Sequence, residues 1–486
     1  MKASISRQPL MIKMKKVLLI DPPFPERPWD INWLTQFPPK GLMYIAAYLR
    51  NAGVDVSVLD TKQMQYEKPS LLRRSIKEIE YLVKILVKES NPDVVGITST
   101  TLSYIPATRI AKAVKEALPK AKVVIGGVHV TFTSRQTLNE YLWIDAVVRG
   151  EGERPMLGLA EGKSFAAIDG LSFRKGKEII DNPLAKLLAP EEIPVPAYDM
   201  LDMTKYAYVV LMCTRGCPHQ CVFCELPSVH GRKIRYRSVD NVSKELELAL
   251  SLNPKLEIRY EDEFMGLEPE RTRQILELVK GKKVGQFRAA TRPDGLNDQV
   301  LKMLKAAGCT NLYIGMESGS DEVLKFNKRG ITVSKILEIA KLFEKNEILF
   351  HAGFILGLPG ETPQTLEQSL DVALKCCDFT FKVVKDNFDK YLEMMNFKLI
   401  VENSRAEFNL LAPNPGTEVF QNPEKMRYRI FHKNWELYDC NTSVGEPYDV
   451  SASEVEAFKK KAFRAVQDRM KEFGLPVDWW DYGYKG

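Results

Sequence analysis

Three cysteines stand close together in CTRGCPHQCVFC, residues 213 to 224: Cys217, Cys221 and Cys224, in the order C-x3-C-x2-C. Three thiols in one short loop cannot all pair with each other as disulfides, and thiolates favour a soft metal centre. A four-iron cluster held by three thiolates keeps one iron open to another ligand. Zinc is the main rival, but a closed zinc site asks for a fourth Cys or His at ligand spacing. His219 falls inside the loop at a spacing unlike the usual zinc pairs, and Cys213 sits where a strand should end. The spacing favours an iron–sulfur cluster over zinc and over buried structural cysteines.

The elements that must position this loop follow a repeating pattern. Apolar runs read as strands at YVVLM (208–212), LEIRYED (256–262), QFRAAT (286–291), NLYIGM (311–316), ILFHAGFIL (348–356) and AEFNLLA (406–412). Helical spacing separates them, as in DNVSKELELALSL and VSKILEIAKLFEKN. Sites on such a framework gather at the carboxyl ends of the strands. Those ends carry Glu261-Asp262-Glu263, Arg292 and Asp294 in TRPDGL, Glu317 and Ser318 in GMESGS, and Gly357 and Gly360 in GFILGLPGET.

An earlier alternation runs from Lys16. Strands are expected at VLLID (17–21), VDVSVLD (54–60), DVVGIT (93–98), AKVVIGG (121–127) and near IDAVVRG (144–150), with amphipathic helices between. Strand–helix alternation implies a doubly wound parallel sheet whose ligand edge lies at the carboxyl ends of its strands. No G-x-G-x-x-G follows the first strand, so the dinucleotide fingerprint is absent. We place a loose tail at 1–15, a first domain at 16–160, a Pro-rich connector at 161–200, a second domain at 201–425 and a C-terminal region at 426–486.

The cysteine loop TRGCPHQCVFC resembles the signature of radical S-adenosylmethionine (SAM) enzymes, and the first half is similar to the cobalamin-binding domain found upstream of many of them. The second likeness rests on PPKGLMYIAAYL (38–49), VVGITSTT (94–101), VVIGGVH (123–129) and VVRGEGE (147–153). The resemblance implies an N-terminal Rossmann-like cobalamin-binding domain, a (β/α)6 partial barrel and a small, mainly helical C-terminal region that caps the barrel mouth. It implies a [4Fe-4S] cluster on Cys217, Cys221 and Cys224, with SAM near Phe223, Glu261, Asp262, Arg292, Glu317, Ser318 and Gly357. Arg292 is expected to grip the SAM carboxylate bidentately. Cobalamin contacts are expected from Pro22, Thr98, Ser99, Thr100, Leu102, Tyr104, Gly126, Gly127, His129, Arg149, Gly150 and Glu151. The D-x-H-x-x-G motif that supplies a cobalt-binding histidine elsewhere is absent. The loop TSTTLSY is therefore expected to face the cobalt, with His129 either at the nucleotide tail or a satisfied loop histidine.

The implied activity is a cobalamin-dependent radical SAM methyltransferase acting on an unactivated carbon of a small molecule, a lipid or a protein side chain, with an external electron donor. Alternatives on the same parts are a cyclase or C–C coupling enzyme that transfers no methyl group, and a non-catalytic sensor. The bulk numbers fit an ordinary soluble globular protein. The chain has 486 residues, 45% hydrophobic and 27% charged, with 69 basic against 63 acidic side chains, so nothing demands nucleic acid. No apolar run approaches the ~20 residues of a membrane span, and the basic start MKASISRQPLMIKMKK lacks an apolar core. Eight cysteines without paired spacing suit a reducing compartment, and a cytoplasmic protein is expected. Two stretches exceed simple needs: residues 377–404, long for a crossover, and the aromatic run DWWDYGYKG at 478–486.

Overall fold

The computed structural model describes residues 14–25, 37–66, 74–260, 262, 265–266, 268–280, 287–389 and 405–475, with residues 287–289 and 310 by backbone alone. The N-terminal tail up to residue 13, Glu261, Glu263, residues 390–404 of the long crossover and the aromatic run at 478–486 lie outside the described residues.

The first sheet contains β1 (Val17–Asp21), β2 (Val56–Asp60), β3 (Val94–Thr98), β4 (Lys122–Gly126), β5 (Ala146–Val148), β6 (Leu171–Lys175) and β7 (Glu178–Asp181), in the order β2-β1-β3-β4-β5-β6-β7. The first five strands are parallel. Helices on both sides explain why β1 is buried at every residue. Leu19, Val94 and Val124 face the side covered by helix Lys40–Asn51, and Ile20, Val95 and Val123 face helices Ile76–Ser90 and Tyr104–Ala117. The middle helix starts cleanly because Ser75 and Glu78 form a reciprocal capping box.

Residues 171–181, expected as connector, add the antiparallel hairpin β6–β7 to this sheet through β5. The turn is legible, with Gly176 at φ +64, but its partner strand is not a local property. The hairpin joins because Leu171 and Phe173 bury into the shared core.

The second sheet is built from β8 (Tyr208–Leu211), β11 (Glu257–Tyr260), β12 (Phe287–Thr291), β13 (Cys309–Glu317), β14 (Leu349–Leu356) and β15 (Ala406–Leu410). All are parallel and stand in chain order, giving the expected six-stranded partial barrel. The short pair β9 (Thr214–Arg215) and β10 (Arg235–Tyr236) brackets the cysteine loop. Helix Pro363–Asp386 runs 24 residues, so the long crossover begins inside a continuous helix. Helix Ala452–Glu472 packs against that helix and β15, flanking the barrel's edge. The stretch before it sends Trp435 and Tyr438 into the core of the first domain.

Gly127, after β4, has φ +103, and a Cβ there would lie 2.3 Å from the carbonyl oxygen of Ser99. Gly150 has φ +76 but open space around it. Gly127→Ala should cost about 2–4 kcal/mol from strain and overpacking together, whereas Gly150→Ala should cost only the ~1–2 kcal/mol of left-handed backbone. Urea denaturation of both variants measures the difference.

Candidate functional site

The cysteine loop leaves β8 at the carboxyl edge of the barrel. Asp262 fixes its start: one carboxylate oxygen accepts the backbone N–H groups of Cys213 at 2.6 Å and Thr214 at 2.9 Å. Burial pushes that carboxyl up to about 6, opposed by these hydrogen bonds. Gly216 has φ +102, and a Cβ there would meet the Lys233 carbonyl oxygen at 2.4 Å. The next amide, of Cys217, donates to Gly231 O at 3.1 Å.

Cys217 and Cys221 are buried, Cys224 is half-buried, and none of the three is in a disulfide. Burial raises the Cys224 thiol, and Cys221 and Cys217 raise it further, so the three sulfurs share one electrostatic neighbourhood. Arg292 Nη1 lies 3.3 Å and Arg329 Nη1 3.8 Å from Cys221 Sγ. Two guanidinium groups aimed at one sulfur suit a thiolate, since a neutral thiol is a weak acceptor. Three thiols on one loop with cations behind them fit a cluster that takes three protein ligands.

Arg292 is not held open for a ligand carboxylate. Asp294 already takes its fork, Nε to Oδ1 at 2.8 Å and Nη2 to Oδ2 at 2.9 Å, and Nη2 also donates to the Arg329 carbonyl at 2.6 Å. Its remaining arm points to the cysteine.

Glu317 closes β13 with φ +71, a left-handed backbone uncommon for a residue with a side chain and characteristic of functional positions. Its carboxylate lies across Gly315, where a Cβ would meet Oε1 at 2.3 Å, and pairs with Arg329 at 3.2 Å. Burial pushes it up to about 7. Its neighbour Ser318 is fully buried and joined to Ser369 Oγ at 3.2 Å, so it anchors helix Pro363–Asp386 and faces no open space. Phe223 packs among Val222, Leu358, Leu411 and Val419. Gly357, at φ +80, donates its N–H to Glu361 Oε2 at 2.6 Å, and Leu358 does so at 3.1 Å. Glu361 is wholly buried, Oε1 has no hydrogen-bond partner, and burial pushes the carboxyl up to about 8.

At the edge of the first sheet, Ser99 Oγ donates to Gly126 O at 3.1 Å, which holds β3 and β4 flush beneath Gly127. Thr100 is exposed, Thr98, Leu102 and Gly150 are half-buried, and Pro22 is buried. A Cβ at Gly150 would meet nothing within 4 Å, so the backbone at this edge is open to approach.

Four expected contacts point elsewhere. Tyr104 is 1% exposed and its hydroxyl bonds Thr137 Oγ1 at 3.0 Å. His129 is clamped between Tyr104 and Trp435, with ring centroids at 4.1 and 4.7 Å. Its Nδ1 lies 3.3 Å from Thr101 Oγ1, and burial pushes the imidazole down to about 3, so it is neutral core. Arg149 reaches back to the carbonyls of Leu171 and Asn182. Glu151 turns toward the barrel.

There it meets a buried network. Glu151 pairs with Arg235 at 2.6 Å, Arg215 at 3.3 Å and His230 at 3.2 Å, while Glu153 pairs with Arg215 at 2.8 Å. Burial opposes ionisation of Glu151, but His230, Arg235 and Arg215 together hold it well below the usual carboxylate range. Arg215 also lies over the Tyr44 ring at 4.9 Å, and Tyr44 hydroxyl accepts from Arg237 at 2.8 Å. Arg237 and Glu245, both fully buried, pair at 2.5 Å, and Tyr198 donates to Glu245 at 3.0 Å. Sequence reasoning missed these partners. Arg215 inside the cysteine motif was a local signal, but nothing local links it to Glu153.

The sheet edge and the cysteine loop coincide with two known domains. Residues 31–160 match the B12 binding domain and residues 211–373 match the radical SAM superfamily. The chain thus joins a B12-binding domain to a radical SAM domain, as the motifs implied. Over 476 residues it is 29% identical to an uncharacterised methyltransferase of Pyrococcus horikoshii, covering 95% of this chain and 94% of that protein. It is also 29% identical over 371 residues to the anaerobic magnesium-protoporphyrin IX monomethyl ester cyclase of Cereibacter sphaeroides, covering 69% of this chain and 56% of that one. The solved structure of OxsB, a cobalamin-dependent SAM radical enzyme with aqua-cobalamin and SAM bound, shares the fold with a TM-score of 0.71 at 19% identity, over 95% of this chain and 72% of that one. Among the described residues no helix is long and apolar enough to cross a membrane.

Two outcomes test the electrostatics. Glu151→Ala leaves Arg235 buried without its carboxylate and should destabilise the chain by about 3–5 kcal/mol, whereas the apolar pair Glu151→Leu with Arg235→Met should recover most of that loss in thermal denaturation. Glu361 has a raised folded pKa, so its stabilising contribution is complete below its unfolded value near 4.5 and is lost as pH rises through about 8. Tm should fall across that window more steeply in the wild type than in Glu361→Gln.

Proposed function

We propose that this protein is a cobalamin-dependent radical SAM methyltransferase acting on an unactivated carbon. The observation that supports this reading is the clamping of the cysteine loop to Glu151 and Glu153, at the carboxyl edge of the B12-binding domain, through Arg215 and Arg235. When bound, the cluster and SAM supply a 5′-deoxyadenosyl radical and cobalamin supplies the methyl group.

This chain's residues do the rest. Cys217, Cys221 and Cys224 ligate the cluster, and Arg292 and Arg329 steady the charge on Cys221. Glu317, Gly357 and their surroundings line the SAM side. Thr98, Thr100, Leu102 and Gly150 would border a bound cobalamin, and His129, sealed by Tyr104 and Trp435, would not be available to it as a ligand. An external donor supplies electrons, and eight cysteines without a disulfide fit the cytoplasm. The methyltransferase relative aligns almost end to end and the cyclase over 56% of its length, which favours methyl transfer over cyclisation.

Reconstituted protein should form 5′-deoxyadenosine from SAM under reducing conditions and move an isotopic label from the SAM methyl group into a product. Replacing Cys217, Cys221 or Cys224 by Ala should abolish the iron–sulfur absorbance and SAM cleavage, while replacing Cys213, Cys309, Cys376, Cys377 or Cys440 should keep the cluster. A full cluster in any of the first three variants refutes the ligand set. Deoxyadenosine without label transfer points to the cyclase reading, and no deoxyadenosine to a sensor.

A further inference from the structure

Below Glu317 the inner face of the barrel carries a second polar group of residues. On β13, Leu312, Ile314 and Met316 are fully buried under the helices, so Tyr313, Gly315 and Glu317 point the other way. On β14, Phe350, Ala352 and Phe354 pack in the same core, which turns His351 and Gly353 inward; on β15, buried Ala406 and Phe408 do the same for Glu407. Tyr313 is level with His351, and Gly353 with Glu407, on three adjacent strands.

The group is open to solvent. Tyr313 keeps 37% of its surface exposed and the Glu407 side chain 37%, although both sit inside the barrel. The Tyr313 phenol lies across Gly353, where a Cβ would meet its oxygen at 2.3 Å, so any larger residue at 353 would displace it. Among the described residues the Tyr313 hydroxyl has no hydrogen-bond partner. His351 Nε2 lies 3.1 Å from Glu407 Oε2, leaving the other carboxylate oxygen available. Burial opposes its ionisation, but His351, Arg405 and Lys459 hold Glu407 down at about 2, so it remains a carboxylate acceptor. Lys459 does not compete for the space: its amine is tied to Asn441 Oδ1 at 2.7 Å.

We infer that Tyr313, His351 and Glu407 anchor the substrate, and that the substrate is a small polar molecule presenting an amine or hydroxyl group to Glu407 and Tyr313. A bare hydrocarbon chain covering this face would strip water from Tyr313 and Glu407 and leave a phenol and a carboxylate unsatisfied. This rests on the radical reading above and narrows its substrate to a hydrogen-bond donor.

Perdeuterated probes test it without knowledge of the natural substrate. The reconstituted holoenzyme is incubated with SAM, dithionite and one probe at equal dissolved concentration: ethanolamine, glycerol or cyclohexane. One electron from dithionite cleaves SAM; the radical takes a deuterium atom from a probe C–D bond, and the probe radical gains a second electron and a proton. The readout is the deuterated fraction of the 5′-deoxyadenosine, by mass spectrometry. Ethanolamine or glycerol should give at least tenfold more than cyclohexane, and Tyr313→Phe and Glu407→Gln should each lower that fraction at least fivefold. In the unreduced holoenzyme, saturation-transfer NMR should show ethanolamine or glycerol bound and weakened by the same substitutions. Equal labelling from cyclohexane, no labelling from any probe, or labelling and binding indifferent to both substitutions overturns the inference. Absence of deoxyadenosine altogether instead sinks the radical reading beneath it.

Discussion

Buried charges pairing across the domain boundary hold this molecule in register. Glu151 and Glu153 leave the edge of the first sheet and meet Arg215 and Arg235, the residues that bracket the cysteine loop. Charges taken from water are costly unless their geometry is satisfied, so only one docking of the two domains closes the network. Tyr44 extends it: its ring faces Arg215 and Arg237, and its hydroxyl accepts from Arg237. A hydrophobic interface could slide by an ångström and remain hydrophobic. This one cannot, because a shifted Arg215 loses a defined carboxylate. The network thus converts the folding of two domains into a fixed relation between two cofactor edges.

The barrel solves a different problem. Its strands must offer apolar residues to the helices and polar ones to the interior, and strand periodicity does both. Along β13 the inward row runs Tyr313, Gly315, Glu317 toward Arg329 and Cys221, so one strand connects the floor of the chamber with the cluster loop. Gly315 and Gly353 make that row usable. Each is the surface over which a neighbouring polar side chain lies, and any larger residue would force that side chain away.

What was legible in the sequence were properties carried by short stretches. The apolar run of VLLID, the helical spacing of VSKILEIAKLFEKN and the spacing of Cys217, Cys221 and Cys224 each identify their element or chemistry alone. What was not legible depends on partners far along the chain. His129 follows a strand of the right kind, yet Trp435 seals it from more than three hundred residues away. Arg292 is the exception, because the partner that fills its fork, Asp294, stands only two residues on. Tyr104 opens a helix at the ligand edge, but its ring turns to the core because Thr137 offers its hydroxyl a partner there. The hairpin at 171–181 shows its turn but not the strand it pairs with.

The position of Trp435 and Tyr438 has a consequence for how the protein is made. They complete the core on one face of the first sheet, packing with Tyr104, Ile110 and Val130. A chain emerging from the ribosome at about 5–20 residues per second has synthesised every strand of that sheet well before it reaches them. Until then the nascent first domain leaves uncovered only the patch around His129 and Tyr104 that Trp435 and Tyr438 will cover. Its last core residues arrive only with the segment that follows the final barrel strand, so maturation of the front of the molecule waits on its back.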